Sequence, residues 1–326
     1  MNNTKLIDFI KNDLSKLKVL VLGDVMLDIY YYGEVKRISP EAPVPVTHVL
    51  SQKETLGGAA NVAHNLALLG VNVNMAGFIG DDEHGKSLAN KFKELGADTA
   101  GLIATNSPTT AKIRVIGSNQ QMLRLDFEET KPPKKEFADK IKNYVTEKIA
   151  DGVDAVIISD YAKGLVTEDI SSFVIQAAND AGIPAIVDPK GVKWEKYKGA
   201  DFITPNLKEL NEVTLDSVEN VDAEVEAAAY SAMKKFTLKN IIVTRSSKGM
   251  SLVTDATVTH IRATAREVYD VSGAGDTIIA VFSAAIAGGL KPTDAAYLSN
   301  LAASVVVGKL GTYALSREEL LEALKD

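Results

Sequence analysis

The chain has 326 residues, of which 46% are hydrophobic and 24% charged, and its formal net charge is −7. These values are typical of a soluble globular protein with one large domain, or one domain with an appendage. The acidic balance argues against a nucleic-acid-binding protein, which would carry a basic surface. Because the sequence has no cysteine, disulfides, thiolate zinc sites and thiol catalysis are excluded, and its four histidines lack the spacing of metal ligands.

The N-terminus lacks the apolar core of a signal peptide. The longest apolar stretch, Thr277 to Leu290, is too short and too rich in glycine and alanine to span a bilayer. We therefore expect a cytoplasmic protein with no membrane partner.

Short apolar runs that suit buried parallel strands recur along the chain, and helical patterns separate most of them. The predicted strands are Lys18–Asp24, Val73–Ile79, Ala155–Ser159, Ala185–Asp188, Phe202–Thr204 and Ile241–Thr244, and the predicted helices include Lys86–Leu95, Glu136–Ala150, Thr167–Ala181 and Asp222–Phe236. This alternation predicts an α/β fold whose parallel sheet is covered on both faces by helices. Ligands of such sheets bind beyond the carboxyl ends of the strands, where polar residues gather repeatedly in this sequence.

Two regions interrupt the alternation. Residues 30–55 and 109–127 have the pattern of short antiparallel strands. We expect them to pair into one small sheet that forms a lid over the site, and the exposed face of that lid would suit a homodimer. The alternative is that they extend the edge of the main sheet.

The most informative motif is the glycine-rich turn Gly273-Ala274-Gly275-Asp276, at the start of a long apolar helix. Its bare backbone allows successive N–H groups to point at an anion, and the helix dipole favours negative charge at the same place. Asp276 puts a carboxylate where a substrate hydroxyl would meet a transferred phosphoryl group. The motif therefore predicts a general base beside amides that stabilise phosphoryl charge. Taken alone, it also fits a plain helix N-cap.

A second motif, Gly80-Asp-Asp-Glu-His-Gly85-Lys86-Ser87, matches the pattern of a nucleotide-binding P-loop. Three consecutive acidic residues would then lie in the loop that must embrace a triphosphate, where like charges repel. The same residues suit an ordinary helix start, where they complement the dipole. We therefore expect a helix start here.

The sequence Gly57-Gly58-Ala-Ala-Asn61, followed much later by the segment from Asp270 to Asp276, resembles the two signature motifs of ribokinase-like (PfkB) carbohydrate kinases. The resemblance implies a ribokinase-like three-layer α/β/α fold with a small β-sheet lid, and ATP-dependent phosphorylation of a sugar. Glycine at 57 and 58 lets the backbone approach a sugar closely, and Asn61 is able to hydrogen-bond its hydroxyls. Without the downstream motif, the upstream one fits tight helix packing equally well.

Further motifs make the resemblance closer, to the heptose-7-phosphate kinases that form one half of bifunctional ADP-heptose synthesis enzymes. These motifs are Gly23–Asp28, Arg37–Val46, Asn119–Glu129, Ser159–Gly164 and Val306–Gly311. The resemblance implies phosphorylation of D-glycero-β-D-manno-heptose 7-phosphate at O1, to the 1,7-bisphosphate, for lipopolysaccharide core synthesis. Those enzymes also carry a nucleotidyltransferase domain with an HxGH-type signature. This sequence has no such signature, so we expect one kinase domain over residues 1–326, either natural or cut at a domain boundary, without adenylyl transfer.

The resemblance also implies contacts with ATP and Mg²⁺. The nucleotide-binding candidates are Asn206, Glu209, Thr244, Arg245, Gly249, Asp188 and Lys190. Glu209 is expected to act on Mg²⁺ indirectly, and Arg245 to bind phosphate oxygens bidentately. Asp270 is a candidate ligand for a monovalent cation such as K⁺. Without the family context, Asn206 fits a helix cap, and Asp188 with Lys190 fits a surface ion pair.

The candidates for substrate binding fall into two groups. They are Asp24, Asp28, Gly57, Gly58 and Asn61 for the sugar, and Arg37, Lys112, Arg114, Arg124 and Lys163 for the 7-phosphate. Carboxylates accept hydrogen bonds from sugar hydroxyls. Each cation alone is more often an ordinary surface charge, but we expect at least two of them to form the phosphate pocket.

Two alternatives stay open. One is a kinase of the same family for ribose, fructose or a nucleoside such as adenosine. The other is a non-catalytic sugar sensor on the same fold, although a sensor would have no need of the base at Asp276.

Overall fold

The computed structural model describes residues 3–214, 217–264, 267–309 and 311–325. The strands are β1 (Lys18–Gly23), β2 (Val25–Ile38), β3 (Pro45–Gly58), β4 (Asn72–Gly80), β5 (Asp98–Thr105), β6 (Ala111–Gly117), β7 (Gln120–Phe127), β8 (Ala155–Ser159), β9 (Ala185–Asp188), β10 (Phe202–Ile203), β11 (Ile241–Thr244), β12 (Met250–Val253) and β13 (Val258–Ile261). The α-helices are α1 (Asn3–Asn12), α2 (Ala59–Leu68), α3 (Glu83–Glu94), α4 (Lys135–Ala150), α5 (Glu168–Ala181), α6 (Leu207–Val213), α7 (Asp222–Phe236), α8 (Ala274–Ala287), α9 (Pro292–Val306) and α10 (Arg317–Ala323). No helix among these described residues is long and apolar enough to cross a bilayer.

The large sheet has nine strands in the order β13-β12-β11-β10-β9-β8-β1-β4-β5. The strands from β11 to β5 are parallel, and β12 and β13 add an antiparallel edge. Central strands buried on both faces read as continuous apolar runs. In β8, for example, Ile157 belongs to one core cluster while Val156 and Ile158 belong to the other. The predicted apolar runs all became strands of this sheet, and the predicted three-layer α/β/α fold is confirmed.

Helices cover both faces of the large sheet. Side chains of α1, α2, α8, α9 and α10 fill one core, and those of α4 to α7 fill the other. The central helix α8 is buried all round from Asp276 to Ala285. Apolarity on every side of a helix is what a fully buried position requires.

Three strands of the large sheet were not among the predicted runs: β5, β12 and β13. They lie at or next to the two edges of the sheet. Several residues of β5 and all of β13 are only half-buried, so β5 and β13 lack the continuous apolar signature of central strands. Strand β12 is buried throughout, but Ser251 interrupts its short apolar run.

A second, four-stranded sheet has the order β3-β2-β6-β7. The prediction of antiparallel strands is right within each hairpin, β2 with β3 and β6 with β7. The two hairpins then join through a parallel pairing of β2 with β6, in which Tyr30 lies opposite Arg114. Strands β2 and β3 are also longer than predicted. The small sheet is confirmed, and it is separate from the edge of the main sheet; its action as a lid stays a prediction.

Candidate active site

Asp276 lies in the first turn of α8, and its side chain is only 3% exposed. Gly273 precedes the helix with a φ of +81°, a conformation that side chains with a Cβ rarely adopt. A Cβ there would also lie 2.9 Å from Nδ2 of the Asn61 side chain. Glycine at this position therefore brings the start of α8 close to α2.

The carboxylate of Asp276 receives one hydrogen bond on each oxygen. The Tyr161 hydroxyl donates to Oδ1 at 2.6 Å, and Asn61 Nδ2 donates to Oδ2 at 2.8 Å. Burial raises the pKa of Asp276 to about 6, although these two hydrogen bonds oppose the rise. A base with this pKa is largely ionised at neutral pH and still able to take a proton.

Backbone amides around Asp276 are available to an anion. In the described part of the chain, the N–H groups of Gly273, Gly275 and Asp276 have no hydrogen-bond partner, as expected at a helix start. The amide of Ala274 instead donates to the Val271 carbonyl at 3.3 Å. Nothing lies within 4 Å of a Cβ built on Gly275, so there is open space beside this residue, and Gly275 lines the adjacent cleft. Three free amides beside the positive end of a helix dipole form an anion-binding site.

A cleft next to this turn is lined by Gly275 and by five of the seven predicted nucleotide residues: Asp188, Lys190, Asn206, Glu209 and Thr244. Asn206 and Glu209 form a capping box at the start of α6, and the Nζ of Lys190 donates to Glu209 Oε1 at 2.7 Å. Burial, followed by the nearby charges of Glu209 and Asp276, raises the pKa of Asp188 well above its usual range. The three carboxylates thus repel one another, and a cation would relieve that repulsion.

Both oxygens of Glu209 are already engaged, one by Lys190 and the other by the Asn206 amide at 3.0 Å. No group of three acidic or histidine side chains in the described residues is arranged to hold a metal ion by itself. The arrangement suits a cation that the nucleotide's phosphates also coordinate, with Glu209 acting from a distance.

Arg245 does not point into the cleft, so its predicted bidentate contact with phosphate is wrong for this structure. Its guanidinium is 1% exposed and donates to Asp222 at 2.6 Å, to Ser251 at 2.9 Å and to Asn220 at 2.8 Å. It therefore ties the start of α7 to β12. Gly249 is likewise structural, because a Cβ there would lie 2.0 Å from the Ile261 carbonyl oxygen.

Among the residues predicted to bind the sugar phosphate, the small sheet presents a pair of opposite charges. Arg114 donates to Asp28 Oδ1 at 2.6 Å, and its guanidinium carbon lies 5.0 Å from the centre of the Tyr30 ring. The second oxygen of Asp28 lies 3.5 Å from the Thr312 hydroxyl and 2.4 Å from a Cβ built on Gly57. Glycine at 57 thus leaves room for the Asp28 carboxylate.

Lys112 is half-buried on the same face of the sheet, and no ion pair to it is found among the described residues. Its Nζ lies 6.0 Å from the centre of the Tyr161 ring. Burial lowers the pKa of Lys112. An unpaired ammonium group in this position is an electrostatic site for an anion.

Asp24 is engaged by the protein itself. Its carboxylate accepts the amides of Tyr161 at 2.9 Å, Lys163 at 3.0 Å and Leu165 at 3.2 Å. It therefore fixes the loop after β8, and its contact with the sugar stays a prediction. Gly58 has a φ of +56° and a Cβ there would meet the Asp24 carbonyl at 2.7 Å, so this glycine is required where β3 returns to α2.

The other predicted phosphate ligands differ in position. Lys163 is half-buried and paired with Glu128 at 2.6 Å, and Arg124 lies opposite Arg114 but is half-exposed and bound to Asp126. Arg37 is exposed near the far end of β2, nine residues beyond Asp28. At roughly 3.3 Å per residue the separation is about 30 Å, so Arg37 does not belong to the pocket.

Asp270 accepts the amides of Ser272 at 2.9 Å and Gly311 at 3.0 Å. Burial opposes ionisation, but these amides keep the pKa of Asp270 below its usual value. The carboxylate thus holds the glycine-rich turn against the segment at Gly311. A monovalent cation at this place stays a prediction.

The segment matching the P-loop pattern is a helix start. Asp82 caps α3 by accepting the Gly85 amide at 2.8 Å, and it also accepts the Thr109 amide at 2.8 Å. Lys86 is exposed and paired with Glu83. The Asp82 carboxylate therefore takes the loop amide of Gly85 that a P-loop would offer to a phosphate.

Sequence reasoning missed Tyr161 as a site residue. Its position could have indicated a role in the site. Tyr161 lies just after β8, at the carboxyl end of the sheet, within a segment that carried the family resemblance. An aromatic residue in a turn is ordinarily assigned to packing, and only the structure shows its hydroxyl on Asp276.

Two comparisons with known proteins, one with family models and one with curated proteins, agree with each other. The family model for pfkB family carbohydrate kinases matches residues 16–319. The chain is 46% identical over 310 residues to "Bifunctional protein HldE" of Shewanella sediminis, and 41% identical over 322 residues to the protein of the same name from Trichlorobacter lovleyi. These alignments cover 95% and 98% of this chain but 64% and 65% of the relatives, so the chain spans less than two thirds of their length.

The fold is similar to that of two solved structures. Arabidopsis thaliana ribokinase complexed with ribose and ATP matches with a TM-score of 0.72 and 22% identity, over 95% of this chain and 99% of that one. Escherichia coli phosphofructokinase-2 in complex with potassium matches with a TM-score of 0.76 and 17% identity, over 95% and 98%.

Because Arg245 is structural, we expect Arg245→Met to lower the free energy of unfolding in urea by about 1–3 kcal/mol, since it leaves buried partners unsatisfied. The Michaelis constant for ATP should change less than about twofold, a change of under 0.5 kcal/mol. Arg262→Met is the matched control, because Arg262 contacts the same Asp222 from a 69% exposed position. A large rise in the Michaelis constant for ATP, with an unchanged free energy of unfolding, would instead support a contact between Arg245 and phosphate.

Proposed function

Because the chain belongs to the pfkB family of carbohydrate kinases, we propose that it phosphorylates O1 of D-glycero-β-D-manno-heptose 7-phosphate, with ATP as donor and Mg²⁺ as metal. The proposal rests on the carboxylate of Asp276, buried beside three backbone amides that have no hydrogen-bond partner within the described ranges. That combination provides a base and an anion site at one point, as phosphoryl transfer to an alcohol requires.

Asp276 takes the proton from the attacking hydroxyl. Each of its carboxylate oxygens accepts only one hydrogen bond in the described residues, so either has a lone pair left for that proton. The amides of Gly273, Gly275 and Asp276 receive the negative charge of the transferring group. ATP, when bound, supplies the phosphoryl group. The free amides fit its terminal phosphate, while Asp188 and Glu209 lie where a shared Mg²⁺ would reduce their repulsion.

The heptose 7-phosphate is supported by the cations of the small sheet and by the 46% identity to the bifunctional relative. Lys112 has no ion-pair partner among the described residues and is therefore available to a phosphate, and Arg114 retains donors beyond its single bond to Asp28. Asp28 then accepts a sugar hydroxyl with its second oxygen. The product would enter heptose activation for lipopolysaccharide.

The small sheet also supports a homodimer. Leu123, Leu125 and Phe127 alternate along the edge strand β7 and are 51%, 43% and 45% exposed. An apolar face on an unpaired edge strand is a liability for a monomer, because edges pair with other chains. A second copy would cover this face and hold the lid in place.

Replacing the base tests the mechanism directly. Asp276→Asn should reduce kcat by about 10²- to 10⁴-fold, the usual contribution of a general base, with ATP binding by calorimetry retained. Lys86→Ala should leave turnover unchanged, since Lys86 is exposed on α3. Full turnover in the asparagine variant, or its loss in the lysine variant, would refute the assignment.

Substrate identity is tested at Lys112. Lys112→Met should raise the KM for heptose 7-phosphate by about tenfold, roughly the 1.4 kcal/mol expected of one charge-assisted contact, and should affect dephosphorylated heptose much less. Arg37→Met is the control and should change neither constant. If ribose or fructose is phosphorylated as well as heptose 7-phosphate, the phosphosugar assignment is wrong.

The dimer is tested at β7. Leu125→Glu should convert the protein to a monomer in sedimentation velocity, because a charge would be buried without a partner. Leu68→Glu, a 38% exposed position on α2, should leave the assembly unchanged. A wild-type monomer at micromolar concentration would contradict the proposed interface.

A further inference from the structure

The hydroxyl of Tyr161 lies 2.6 Å from Asp276 Oδ1, and the mechanism above gives it no role. We propose that Tyr161 is a positioning residue for the base, whose hydroxyl keeps the Asp276 carboxylate charged and fixes its orientation. The inference rests on the proposed function of Asp276 and deepens it.

The loop that carries Tyr161 is held on both sides of the residue by buried carboxylates. Asp24 accepts the Tyr161 amide at 2.9 Å, and Asp160 accepts the Ala162 amide at 2.7 Å. Asp160 is fixed in turn by the Tyr197 hydroxyl at 2.6 Å and by an ion pair with Lys196. The position of the phenol is therefore set by the protein before any substrate binds.

Backbone strain in the same loop supports a functional role. Ala162 has a φ of +55°, in the left-handed region that alanine rarely occupies. Such a conformation costs about 1–3 kcal/mol and persists only where the surroundings enforce it. Here the enforcing contacts are the carboxylates of Asp24 and Asp160, and the result is a tyrosine directed at the base.

In its hydrogen bond with Asp276, the Tyr161 hydroxyl is always the donor. Burial and the adjacent Asp276 charge raise the pKa of Tyr161 well above its usual value, so the hydroxyl keeps its proton at working pH. Asn61 on α2 also donates to the carboxylate. The charged groups that face the Asp276 carboxylate are Asp28 on β2 and Asp188 at the end of β9, which disfavour its charge, and Lys112 on β6, which favours it.

These contacts set how the proton moves. When the acceptor hydroxyl loses its proton, the new O–H bond forms on Asp276, and Tyr161 keeps its own proton throughout. A donor to the ionised form lowers the pKa of a carboxyl group, whereas the loss of that donor raises it. Without the hydroxyl, a smaller fraction of Asp276 would be ionised at neutral pH.

The test is Tyr161→Phe, which keeps the ring beside Lys112 and removes only the hydroxyl. The acid limb of the kcat/KM profile for heptose 7-phosphate should move to higher pH by about one unit or more, the size expected for a hydrogen bond to a charged group. Activity should recover towards the wild-type value as the pH rises above the new limb, while the KM for ATP stays unchanged.

Tyr197→Phe is the matched control, because it also removes a buried phenol but one bound to Asp160. It should lower kcat without moving the acid limb. An acid limb in Tyr161→Phe that coincides with the wild-type limb would overturn the proposal, even if kcat falls, since a purely structural role predicts that result.

A second measurement separates this inference from the proposed function. The Asp276 carboxyl is titrated by ¹³C NMR in the wild type and in Tyr161→Phe, with the signal assigned by its loss in Asp276→Asn. A higher pKa in the phenylalanine variant supports the inference even if the wild type phosphorylates no heptose. An equal pKa in both proteins contradicts it whatever the substrate is.

Discussion

Keeping a charge on the buried carboxylate of Asp276 is the constraint on which the rest of the structure depends. An ionised carboxylate removed from water costs several kcal/mol unless hydrogen bonds and dipoles replace the water. Three separate elements supply that replacement: α2 through Asn61, the loop after β8 through Tyr161, and α8 through its own amino terminus. This constraint also accounts for the burial of α8. A helix inside the core places its first turn, with Asp276, at the middle of the sheet edge.

The same point joins the two sheets. The chain leaves β1 at Gly23, forms β2 and β3, and returns at Gly58 directly into α2. Asp24 and Gly58 are in backbone contact at this crossing, where the Ala59 amide donates to the Asp24 carbonyl at 3.1 Å. One junction therefore fixes both the small sheet and helix α2, whose Asn61 orients the Asp276 carboxylate. A shift of the small sheet would be transmitted to Asn61 through that short connection.

Much of this arrangement was predictable from the sequence, and what was not has a physical reason. Apolar runs predicted the central strands, and the glycine-rich turn predicted a helix start with Asp276 in its first turn, because both are local patterns. Anion binding at that turn stays a prediction. The direction of Arg245 was not predictable, since residues at a strand end can point into the cleft or behind the sheet. Arg37 was misplaced because proximity to a motif says nothing about distance along a fourteen-residue strand.

Electrostatics explain how an acidic protein of net charge −7 would bind the anionic ligands proposed for it. Most cations near the site are already matched: Arg114 with Asp28, Lys163 with Glu128, and Lys190 with Glu209. These pairs are locally neutral, so they attract a second anion only weakly at a distance. In the part of the chain that the structure describes, Lys112 is the site cation without such a partner, and its partial burial weakens screening of its charge by water. An anionic group of the substrate would supply the missing partner there, next to the ring of Tyr161, and would bring the sugar hydroxyl towards the base.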